Sequence, residues 1–259
     1  MAINRKYKDT VFRHLFNNPE RLLELFNALM GTNYRDAGSM KINTLKNVFY
    51  RGMKNDISFE FDDALVLIEH QSTLSKDMAL RIALYLFRLL EKISKTKPEA
   101  LDKKYSKEIP NPVLIILYNG KEDFPAEKTL YLSDIFKKKY GRKIIVDAEI
   151  KILNINKGFN PELMSRCKTL SDYAEFIAKV REYEKDHTLD EAMDLAIEYC
   201  ISNDILKEYL TQNSTEGAPV RRVKYSMVRV HVRKSRSGQP VSSLGAEAAR
   251  LGLSVGMRV

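Results

Sequence analysis

The chain has 259 residues, 44% apolar and 30% charged, enough for a full hydrophobic core in one globular domain plus extensions. Its formal net charge is +9, but residues 214–259 carry nine Lys and Arg against two Glu, while residues 1–213 hold 34 basic and 32 acidic side chains. A near-neutral body must build any nucleic-acid surface by local arrangement, and without an apolar run of ~18 residues or an apolar N-terminal h-region, neither a membrane span nor a secretory signal is expected.

Residues 9–30 carry Phe12, Leu15, Phe16, Leu22, Leu23, Leu25, Phe26 and Leu29 near helical spacing, with Asn18-Pro19 as a break, which predicts one or two helices. Residues 41–50 are expected to form a first strand. A β-hairpin follows. Residues 55–61 alternate, with Ile57, Phe59 and Phe61 apolar; residues 64–68 are wholly apolar; Asp62-Asp63 between them suits a two-residue turn. With that turn, Phe61 pairs with Ala64, Ser58 with Leu67, Asp56 with Glu69 and Lys54 with Gln71. Alternation then puts Lys54, Asp56, Glu69 and Gln71 on one face. Two opposed carboxylates need a cation or a proton between them, as in a Mg²⁺ or Mn²⁺ site of hard oxygen ligands; the alternative is a solvated hairpin edge with two acids at the end of a core strand. His70 should point to the opposite face, as a packing or hydrogen-bonding residue.

Residues 76–94 predict a helix whose apolar stripe is Leu80, Ala83, Leu84, Phe87, Leu90 and Ile93, flanked by Ile82, Leu86 and Leu89, with Arg81, Tyr85, Arg88 and Lys92 opposite. Pro112 opens a strand through Tyr118, ended by Asn119-Gly120. Residues 143–153 read as a further strand that includes Ile145, Ala148, Ile150 and Ile152. Residues 161–183 and 188–210 read as two helices that include Cys167 and Cys200, and Thr188-Leu189-Asp190-Glu191 has capping-box form. Two cysteines without close metal-ligand partners suit a reducing cytoplasm. There is no internal repeat, P-loop or dinucleotide-binding glycine pattern.

The segments Glu69-His70-Gln71-Ser72-Thr73, Met78-Ala79-Leu80-Arg81, Tyr85 and Leu117-Tyr118-Asn119-Gly120 together resemble the recombination-promoting nuclease and transposase-like family of the PD-(D/E)xK nuclease superfamily, over roughly residues 5–213. The resemblance implies an α/β fold with a restriction-endonuclease-like core, a mixed β-sheet flanked by helices, and extra C-terminal helices. It implies a metal-dependent DNA endonuclease, linked to recombination or mobile elements, with Asp56 and Glu69 as ligands of Mg²⁺ or Mn²⁺. Lys8-Asp9-Thr10-Val11-Phe12 resembles the family's first-helix motif, so Asp9 is expected to complete the metal site. Gln71 stands where the superfamily has its lysine, and the hairpin register offers Lys54 as the compensating cation. Arg81 and Tyr85 match the family motif and are expected to meet substrate, Arg81 as a phosphate clamp and Tyr85 through a hydrogen bond or a stacked base. Many nucleases of this fold act as homodimers. A catalytically weak DNA-binding module of the same fold is the alternative.

From about Gly217 the composition turns to Arg, Gly, Val and Ser, with no Phe, Ile or Asp after Asn213. This divides the chain into a nuclease-like domain, 1–213, and a basic tail, 214–259, expected to be disordered or the product of a shifted reading frame or fused segment.

Overall fold

A computed structural model describes residues 7–43, 56–96, 109–137 and 145–212. The expected strand beyond residue 43, Lys54 and the basic tail lie outside the described residues.

The first expected helical stretch is two helices, α1 (Tyr7–Leu15) and α2 (Pro19–Met30). Asn18 ends the first by capping the second: its Oδ1 accepts the Arg21 N–H at 2.9 Å, and Pro19 takes the first helical position, where no N–H is needed. Gly31 closes α2 in the left-handed conformation, φ 70°.

Six strands follow among the described residues: β1 (Lys41–Ile42), β2 (Ile57–Phe61), β3 (Ala64–Gln71), β4 (Asn111–Tyr118), β5 (Glu127–Tyr131) and β6 (Glu149–Asn154). They form one mixed sheet in the order β1-β2-β3-β4-β6-β5. The hairpin register is the expected one: Phe61 pairs with Ala64, Ser58 with Leu67 and Ile57 with Ile68. Asp62 bears the turn at φ 52°, a conformation Asp tolerates better than most residues, and its carboxylate accepts the Tyr34 hydroxyl at 2.8 Å. β3 runs parallel to β4, and β4 to β6, while β5 returns antiparallel along β6.

β3 is covered on both faces, as its unbroken apolar run requires. Val66 and Ile68 enter a large core with α1, α2 and the C-terminal helices; Leu65 and Leu67 enter a second core with α3 (Met78–Thr96). α3 is rotated from the expected orientation. Its buried residues are Met78, Ala79, Ile82, Ala83, Tyr85, Leu86, Leu89 and Ile93, whereas Leu80, Leu84 and Phe87 are exposed. Apolar side chains occupy more than half of this helix's circumference, so periodicity alone leaves the centre of the stripe undetermined.

The expected strand over 143–153 is confined to β6, and Ile145 is 90% exposed. Each expected C-terminal helix is divided. α4 (Pro161–Arg166) and α5 (Lys168–Tyr183) part at Cys167, whose extended backbone takes it out of both. Glu24 of α2 caps α5 from outside, accepting the Lys168 N–H and the Thr169 hydroxyl, each at 2.6 Å. α6 (Leu189–Ser202) starts with the expected Thr188–Glu191 capping box, and α7 (Lys207–Gln212) follows a turn held by left-handed Asp204 and Leu206. No helix among the described residues is long and apolar enough to cross a membrane.

Candidate active site

The parallel strand β3 delivers its last residues to an edge of the sheet where α1, α3 and α5 converge, the end of such strands at which ligands usually bind. Alternation sends Glu69 and Gln71 toward α3 and His70 toward α1 and α5. Glu69 is buried, and its Oε2 receives Gln71 Nε2 at 3.4 Å and lies 3.8 Å from an Arg81 guanidinium nitrogen. Glu69 Oε1 is shut away from solvent with no hydrogen-bond partner of good geometry among the described residues, although the Asp56 main-chain N–H also faces this carboxylate. A buried carboxylate oxygen without a donor is costly, so this atom marks a place for a cation or a proton.

Asp56, at the bend leading into β2, continues the register toward Glu69. Its carboxylate turns across the sheet edge: Oδ2 accepts the His70 main-chain N–H at 2.9 Å, and Oδ1 lies 3.7 Å from Arg13 Nε of α1. Burial raises the Asp56 carboxyl to about 6, with Asp9 adding to the rise and His70 and Arg13 opposing it. Glu69 is pushed well above the usual carboxylate range, first by burial and then by the Asp56 charge, with Arg81 offsetting part. Without a counter-cation the two acids therefore hold protons that ordinary surface carboxyls release.

Asp9 is on the other side of this arrangement. Its Oδ1 lies 3.0 Å from His70 Nδ1, and the opposite ring nitrogen, Nε2, lies 2.9 Å from the Tyr173 hydroxyl of α5. The His70 ring also stacks on Phe12, with centroids 4.8 Å apart. Asp9 is thus joined to Asp56 through His70 instead of lying in one cage with Asp56 and Glu69. Among the described residues no group of three or more His, Cys, Asp or Glu side chains is arranged to hold a metal ion. The pair fits a hard cation nonetheless: Mg²⁺ is commonly held by one or two carboxylates and keeps several waters, and Glu69 Oε1 supplies an unused oxygen.

Of the expected substrate contacts, Arg81 is at the site, on Glu69. Tyr85 is completely buried beneath it and hydrogen-bonds Arg81. Its ring has no open face on which a base could stack. Arg13 and Tyr173 also reach the site, outside any motif. Arg13 stands one helical turn from Asp9, and that spacing is a usable signal; Tyr173 is 103 residues from His70 and gives none. Asn119, at the end of β4, accepts from Arg181 at 2.7 Å through its carbonyl and 3.0 Å through its side chain. Beside it, Gly120 lies against the Tyr118 ring, where a Cβ would collide; the Tyr-Asn-Gly segment is thereby explained as packing.

A six-stranded mixed sheet between helical layers, with one buried and one half-buried acid at the hairpin's end, defines an α/β protein consistent with a nuclease-like core. The chain belongs to the family described as "Putative transposase, YhgA-like", which matches residues 6–204 and is of the PD-(D/E)xK type. No curated protein matches the chain.

Proposed function

We propose that this protein is a Mg²⁺- or Mn²⁺-dependent endonuclease that hydrolyses DNA phosphodiester bonds, in keeping with its family. The observation that carries the reading is the juxtaposition of half-buried Asp56 with buried Glu69, whose Oε1 has no hydrogen-bond partner among the described residues. Asp56 and Glu69 hold the cation, and Asp9 adds negative charge beside Asp56. The bound ion supplies Lewis-acid stabilisation of the charge gathering on the phosphate and lowers the pKa of a water molecule. Gln71 orients water through its amide but brings no charge. Arg81, 3.8 Å from Glu69 and braced by Tyr85, provides positive charge where the superfamily has lysine and turns its fork toward a phosphate.

A second reading, a DNA-binding module with weak or no chemistry, is favoured by the uncharged Gln71. Plasmid cleavage by the full chain with Mg²⁺, Mn²⁺ or EDTA, beside Asp56→Ala and Glu69→Ala, separates the two. Metal-dependent nicking lost in both variants is expected; a folded protein that retards DNA in gels without cutting it under any metal would favour the module.

A further inference from the structure

His70 touches both acids that flank it, through different atoms. Its main-chain N–H donates to Asp56 Oδ2 at 2.9 Å, and its ring Nδ1 lies 3.0 Å from Asp9 Oδ1. The ring is enclosed, stacked on Phe12 and met edge-on by Tyr173 at 84°. Tyr173 is itself fully buried, so no solvent competes for its hydroxyl. That hydroxyl has one proton and two acceptors in reach, His70 Nε2 at 2.9 Å and the Lys8 carbonyl at 3.4 Å. The Asp9 carboxylate facing Nδ1 is an acceptor, which calls for the ring proton there and leaves Nε2 to accept from the Tyr173 hydroxyl over the shorter contact. Nδ1–H is then a donor to Asp9.

We propose that His70 is a positioning residue: Tyr173 fixes it as the Nδ1–H tautomer, and it holds the helix-borne Asp9 and Asp56, at the bend before β2, in one fixed relation. The chain of contacts spans α5, β3 and α1, so three elements distant in sequence set the carboxylates. Asp9 is held by His70 through Oδ1 alone among these contacts, and its side chain is 37% exposed. The inference rests on the reading of Asp56 and Glu69 as cation ligands and goes beyond it, because His70 and Tyr173 act without touching the cation. Outer partners that orient ligating groups in this way are typically worth ~10–100-fold in metal affinity.

The test is Mn²⁺ binding to the full chain, followed by electron paramagnetic resonance, together with ¹⁵N chemical shifts of the His70 ring in the metal-free protein. Wild type should show protonated Nδ1 and unprotonated Nε2. Tyr173→Phe keeps the ring packing and removes only the hydroxyl; the imidazole should shift toward the Nε2–H tautomer and the Mn²⁺ Kd should rise ~10-fold. His70→Leu should lose at least as much, and His70→Asn, which retains an amide donor near Nδ1, should recover part of it. If wild type binds Mn²⁺ and Tyr173→Phe and His70→Leu bind within twofold of it, the positioning role is overturned while the metal site stands. If wild type binds no Mn²⁺ at all, the metal reading fails and takes the role of His70 with it.

Discussion

Asp56 and Glu69 are costly residues for the fold. Both carboxyls bind protons more tightly in the folded chain than in the unfolded one. Below the ordinary carboxylate range, about pH 4, both states are protonated and the pair costs nothing. As pH rises from there through about 6, the value for folded Asp56, the folded state binds the excess of protons, and stability falls. For Asp56 alone this amounts to on the order of 3 kcal/mol. Urea unfolding in EDTA should therefore show a lower midpoint at pH 7.5 than at pH 5, and Mg²⁺ should restore it, since a ligand of the native state adds stability by mass action. Glu69→Gln removes the charge and keeps the shape. In EDTA at pH 7.5 it should unfold at higher urea than wild type and no longer respond to Mg²⁺; a variant less stable than wild type under those conditions would show that Glu69 is satisfied without a cation.

At the scale of elements, the hairpin was legible and the helix seats were not. Two Asp residues between an alternating run and an apolar run suggest a two-residue turn, a longer one would shift the register, and the pairs from Ile57–Ile68 to Phe61–Ala64 follow the two-residue reading. The same alternation assigns Glu69 and Gln71 to one face and His70 to the other. α3 is different, because residues such as Phe87 and Leu89 are equally apolar and only the sheet decides between them. Leu89 is 1% exposed and Phe87 54%. Leu89→Ala should cost ~2–5 kcal/mol, and Phe87→Ser no more than about 0.5 kcal/mol, both read from urea midpoints; the reverse order would reject this seating of the helix. The break before α5 was hidden for a related reason. Its cap, Glu24, comes from another helix 144 positions away, and no local pattern announces it. Glu24→Ala should lower stability by about 1 kcal/mol. The link from His70 to Tyr173 is equally non-local, whereas the roles of Asp56 and Glu69 came from the register and from the family resemblance together.

For the whole molecule, charge and fold are separate matters. The body is near-neutral, and the basic excess lies in residues 214–259, beyond the family match at 6–204. If those Lys and Arg side chains supply most phosphate contacts, DNA affinity of the full chain should fall steeply with salt, by about 0.9 in the logarithmic slope for each phosphate neutralised. Replacing Arg221, Arg222, Arg229 and Arg233 by Ser should flatten that slope by several units while leaving metal-dependent cutting at low salt intact. A slope unchanged by the replacement would place the contacts on the body, with Arg81 the first side chain to examine.

The most direct test is a crystal of the full chain soaked in Mn²⁺ and measured at the manganese absorption edge. We expect one anomalous peak bound by Glu69 Oε1 and an Asp56 oxygen at roughly 2.0–2.3 Å, with Arg81 moved off Glu69. A well-ordered site with no peak, and Arg81 still on Glu69 at saturating Mn²⁺, would contradict the metal centre and the nuclease mechanism built on it.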